Sequence, residues 1–144
     1  MKKIIISFLS ILVLGIMINC SSAHIENPHI QREWMLVSFE NFSRDQLVAS
    51  KAGINLTAEK ENGKIRGGAF MGCNRIFFTS EFKNKGELKI SGAGSTMMAC
   101  KNMDLETAFV KSFEKMKKYS VEGHFLTLSD EKGNTMKFVA ADWD

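Results

Sequence analysis

Cysteine and methionine are the side chains here whose spacing could do chemistry, with three cysteines and nine methionines in 144 residues. Cys20 closes an apolar run from Ile4 to Ile18 that follows Lys2 and Lys3. A thiol in that place is a lipid acceptor, and the run is shorter than the ~20 residues that span a bilayer comfortably. Residues 1–19 therefore read as a lipoprotein signal peptide, and the alternative is an uncleaved signal anchor. Asn19 and Met17 stand where lipoprotein boxes usually carry a small residue and Leu. Lipidation at Cys20 leaves Cys73 and Cys100 as an even pair in a compartment outside the cytoplasm, where a disulfide persists. Two buried free thiols are the other reading of that pair. Met97, Met98, Cys100 and Met103 crowd three thioethers and a thiolate, a donor set of the softness that selects Cu(I). Methionine as plain core filler competes with that reading, and a disulfide would remove the thiolate. Metal and cofactor are therefore expected to be none.

A cysteine hydrolase needs a histidine base and an orienting group beside the thiol. Of the three histidines, His24 and His29 fall in a polar leader to the domain and His124 beside Gly123 in a turn. With no glycine-rich phosphate loop after a strand and no identifiable carboxylate pair, the chain reads as a non-enzyme with no catalytic residues. The charge balance, 19 Lys and Arg against 16 Asp and Glu, becomes 17 to 16 without Lys2 and Lys3. That near-neutrality argues against a nucleic-acid partner.

The elements that would position these residues follow from period and punctuation. Residues 20–31 are polar and aperiodic and read as a tether; residues 32–144 form one domain. Glu33 to Phe39 alternates with both faces largely apolar, which predicts a strand covered on both sides, Trp34, Leu36 and Ser38 facing one way and Met35, Val37 and Phe39 the other. Asn41 to Lys51 reads as a loop. Asn62-Gly63 and Asn84 to Glu87 predict hairpins, and Gly92 and Gly94 are expected to end the strand that starts at Leu88. Leu105, Phe109, Phe113 and Met116 recur at helical spacing, so one helix is predicted over residues 103–118. Three strands follow it. The expected class is α+β: a strongly curved, mostly antiparallel, open barrel-like sheet packed on one α-helix.

Two stretches, Gly72-Cys73-Asn74-Arg75 and Ser95-Thr96-Met97-Met98-Ala99-Cys100, stand between Trp34-Met35-Leu36 and Leu126-Thr127-Leu128. In that order they resemble the META domain (HslJ-like) family, with Met97 where many members carry arginine. The resemblance implies a helix on a bent antiparallel sheet, a bacterial envelope lipoprotein with no established catalytic activity, and in some members a link to heat or antibiotic stress. It is also similar in fold to secretion pilotins, which suggests an acyl-chain carrier as the alternative, its cleft lined by Phe109, Phe113, Phe125 and Phe138. Asn74 and Arg75 form a possible recognition pair; the competing reading has Asn74 in a left-handed turn bonded to nearby backbone. The membrane, through lipid on Cys20, and an envelope protein or acyl ligand are the expected partners, at the periplasmic face of the outer membrane.

Overall fold

The computed structural model describes residues 29–143. Cys20, His24, the apolar run and most of the expected tether lie outside the described residues. Ile30 is already part of the core, and its carbonyl accepts the Trp34 indole N–H at 3.0 Å, so the packed domain starts slightly before residue 32.

Among the described residues nine strands form one sheet in which every pairing is antiparallel: β1 (Glu33–Phe39), β2 (Gly53–Asn55), β3 (Lys60–Glu61), β4 (Lys64–Phe70), β5 (Arg75–Phe82), β6 (Leu88–Ser95), β7 (Lys118–Glu122), β8 (Phe125–Ser129) and β9 (Thr135–Ala140). The order is β6-β5-β4-β2-β1-β9-β8-β7, with β3 beside β4. The sheet curls until its edges touch at one end, where a Glu87–Lys118 bridge forms and the Leu88 N–H donates to the Lys117 carbonyl at 2.8 Å. The predicted hairpins are present. Asn62 and Gly63, both at positive φ (51° and 79°), turn β3 into β4, the conformation that suits the right-handed twist of the flanking strands.

Helix α2 (Asp104–Phe113) lies across the inside of the curl. Phe109 stacks on Phe113 at 4.6 Å, Phe113 meets Phe78 edge-on at 4.8 Å and Phe109 meets Phe39 edge-on at 6.3 Å. Each such buried ring contributes about 1.5–3 kcal/mol by leaving water, and the pairings about 0.5–1.5 kcal/mol more. Among the described residues the core cluster runs from Ile30 to Ala140.

Four expectations are corrected. A second helix, α1 (Arg44–Ala49), occupies the expected loop; Ser43 and Gln46 form a reciprocal capping box that satisfies its free N–H groups. α2 ends at Phe113 rather than near residue 118, because Lys118 already pairs with Ser129 in β7. β6 does not stop at Gly92: a register shift opposite Phe77 and Thr79 absorbs the glycine and the strand runs on to Ser95. In β1 a shift between Leu36 and Ser38 turns Phe39 into the core with Trp34 and Leu36, while Met35, ahead of the shift and alternating with those two, is about half exposed. One side of β1, expected to be covered, therefore faces out.

Candidate functional site

The tight turn between β4 and β5 carries Cys73 and Asn74, and the segment after β6 carries Thr96, Met98 and Cys100. Cys73 and Cys100 form a disulfide with Cα atoms 6.1 Å apart, inside the range such bridges require. This settles the cysteine pair in favour of the bridge and removes the thiolate from the Met97–Met103 cluster. Among the described residues no group of three or more His, Cys, Asp or Glu side chains gathers to hold a metal.

Asn74 is 2% exposed and fully bonded. Its Nδ2 donates to Glu106 Oε1 at 2.8 Å and to the Met98 carbonyl at 3.3 Å; its Oδ1 accepts from the Thr96 hydroxyl at 2.9 Å and from the Met98 N–H at 2.7 Å. Its own N–H donates to Glu106 Oε2 at 2.6 Å. All four side-chain positions are used, which is the condition for a stable buried amide. The residue at positive φ in this turn is Gly72 (107°), so the left-handed conformation expected of Asn74 belongs two positions earlier. Nor does Asn74 present a recognition surface. Arg75 is exposed, while its N–H donates to Thr96 Oγ1 at 3.1 Å.

Glu106, 5% exposed, is the polar residue that sequence reasoning missed. It stands three residues before Phe109 and seven before Phe113, within the apolar stripe of α2, and that placement of a carboxylate was the available signal. His124 stacks on Trp143 at 4.9 Å, and Cys73 and Cys100 are bonded to each other, so neither of these two sulfurs is a free thiol for a histidine to activate.

The interior cleft expected of an acyl carrier is filled. Phe109 and Phe138 are fully buried and Phe113 nearly so, all within the core cluster. Phe125 points the other way: it is paired with Val139 on the outer side of the sheet, and Trp143 meets it edge-on at 5.7 Å. On this outer side a cross-strand row runs Phe125–Val139–Met35–Gly53–Phe70–Arg75 across β8, β9, β1, β2, β4 and β5. A parallel row, Glu33–Asn55–Gly68–Phe77, lies one step along. Gly53 and Gly68 leave a floor without side chains, and the groove above it has a volume of about 400 Å³. Phe77 (56% exposed) and Met35 (47%) flank it, Lys51 and Arg75 stand at its rim, and Glu33 is held by Asn55 Nδ2 at 2.6 Å. Gly53 can be nothing larger without a shift, since a Cβ there would lie 2.6 Å from the Trp34 carbonyl oxygen.

The model of the META domain family matches residues 27–143, which include every described residue. The chain belongs to the META domain family. Among solved structures, a protein from Burkholderia xenovorans determined by NMR is similar at a TM-score of 0.60 and 20% identity, over 78% of this chain and 83% of that one. A DUF4847 family protein from Bacteroides vulgatus is similar at 0.53 and 15% identity, over 83% of this chain and 99% of that one. At these identities the likeness concerns the fold. No curated protein matches. In this META domain the two segments that carry the resemblance, Gly72 to Arg75 and Ser95 to Cys100, are brought side by side by the Asn74 bonds and the disulfide. Their spacing is thus accounted for by a structural node that ties the β4–β5 turn to the start of α2 through Glu106.

Proposed function

We propose that this META domain protein is a non-enzymatic, lipid-anchored module of the cell envelope that binds or stabilises an envelope component under heat or antibiotic stress. The observation that carries this reading is the Cys73–Cys100 disulfide, because such bridges persist in compartments outside the cytoplasm. It is supported by Cys20 at the end of the apolar run, whose lipid would hold the domain at the periplasmic face of the outer membrane. Bonding of the two sulfurs to each other, with His124 engaged on Trp143, supports the absence of nucleophilic catalysis.

The test is metabolic labelling with an alkyne fatty acid, followed by fractionation. The wild-type chain is expected to carry label in the membrane fraction, and Cys20→Ser to lose it. An unlabelled wild-type chain recovered in the soluble fraction would overturn the anchored reading. A deletion strain unchanged in heat and antibiotic survival would remove the stress role.

A further inference from the structure

We propose that the outer face of the sheet is a membrane-contacting surface that lies on anionic phospholipid beside the lipid anchor. The proposal rests on the anchored reading only for the proximity of the bilayer. Seven large apolar side chains are exposed among the described residues, and five of them, Met35, Phe77, Met97, Met98 and Trp143, gather on or at the ends of this face. Met35 and Phe77 stand in its two cross-strand rows. Trp143 packs on Phe125 at one end of the longer row. Met97 (98% exposed) and Met98 run beside Asn74 and Arg75 at the other.

Six strand positions, five spacings of ~4.8 Å, make that row about 24 Å long. An apolar band of this kind on a monomer marks an interaction surface. Three features select a bilayer as the occupant. Trp143 with an exposed edge, and methionine and phenylalanine between cations, are side chains suited to the headgroup boundary. Lys51 and Arg75 at the rim are positioned for anionic headgroups, and neither has an ion pair among the described residues. Chain order gives the third: Glu33, the first residue of β1, lines the groove, and twelve residues separate it from Cys20. A dozen residues reach at most about 40 Å, so the anchor keeps the face within reach of lipid at high effective concentration.

The experiment uses the chain from Ser21 to Asp144, which contains every described core residue, Ile30 to Ala140. It is mixed with vesicles of phosphatidylglycerol and phosphatidylethanolamine, or of neutral phosphatidylcholine, and sedimented; in parallel, brominated acyl chains probe tryptophan fluorescence. The anionic vesicles are expected to carry the protein down and to quench Trp143, while Trp34, 1% exposed in the core, stays unquenched. Phe77→Asp should weaken binding at least ~tenfold, as removal of a buried aromatic contact requires. Lys51→Glu with Arg75→Glu should weaken binding to anionic vesicles selectively. Circular dichroism of each variant separates lost binding from lost fold. Absence of sedimentation at millimolar lipid overturns the proposal, and so does binding indifferent to Phe77→Asp. A vesicle-free dimer that buries Phe77 would identify a second copy as the occupant and overturn it equally. Because no lipid is attached to this chain, failure here is distinct from failure of fatty-acid labelling at Cys20.

Discussion

Glu106→Ala is the perturbation that most directly questions the buried node. In the folded chain the carboxylate accepts two hydrogen bonds from Asn74, 2.6 Å from its backbone nitrogen and 2.8 Å from Nδ2, at a place where both residues are almost wholly buried. Charge-assisted bonds of this type contribute about 1.5–3 kcal/mol each, and a buried donor left without a partner costs about 1–3 kcal/mol. Two orphaned donors, eased in part by water entering the space, give an expected loss of about 4 kcal/mol. Against a typical total of about 5–15 kcal/mol that is a large fraction, equivalent to a fall in Tm of roughly 15 °C for a domain of this size. Glu106→Gln keeps one acceptor but presents an amide N–H to the second donor, and is expected to cost about 2 kcal/mol. Asn74→Ala removes the Nδ2 bond from the other side and keeps the backbone one, so the double variant should be less destabilised than the sum by about 1–3 kcal/mol. Urea unfolding followed by circular dichroism, with the disulfide intact, reads the four variants against the wild type. A loss below about 1 kcal/mol for Glu106→Ala, or strict additivity with Asn74→Ala, would refute the node as drawn.

Further expectations concern the bridge, the groove floor and one turn. The untreated chain should be two hydrogens lighter than the reduced one by mass spectrometry, and Cys73→Ser with Cys100→Ser should cost about 3.5 kcal/mol for a sequence separation of 27; equal masses before and after reduction would sink this. Gly53→Ala should cost about 1–3 kcal/mol, because its Cβ meets backbone that cannot swing aside. Gly94→Ala, with nothing within 4 Å, is the control and should be near neutral, so equal losses at the two sites would contradict the geometry. The Asp130 carboxyl is held below its ordinary value of 3.8, first by the Asn134 side chain and then by backbone N–H groups of Asn134, Lys132 and Gly133, partly opposed by desolvation. A depressed folded pKa stabilises above the unfolded value and loses that contribution as pH falls through the folded one. NMR titration should show Asn134→Ala raising the Asp130 pKa, and an unmoved titration would exclude the side-chain bond.

Much of the fold was legible because its signals are local. Asn62-Gly63 selects a turn whose two residues tolerate positive φ, and the Leu105, Phe109, Phe113 spacing selects a helix with a core face. α1 escaped because six residues with a single buried side chain, Leu47, cannot display a period; its capping box was the legible trace. The extent of β6 escaped because Gly92 reads as a stop until a partner strand accommodates it as a bulge. For the candidate site, the cysteine count pointed to the bridge, whereas the roles of Asn74 and Glu106 depend on two segments 32 residues apart meeting in a dry place.

By itself the sequence determined the turns, the alternation of the strands, the helix stripe and the pairing left to the cysteines, since each depends on the conformational preferences or redox chemistry of residues close in the chain or few in number. Only the tertiary structure decided which apolar side of β1 would be covered. A one-residue register shift turned Phe39 inward, and strand pairing put Met35 in a row assembled from six strands, where only the closing of the sheet could reveal that Phe77, Phe70 and Met35 share one outer face.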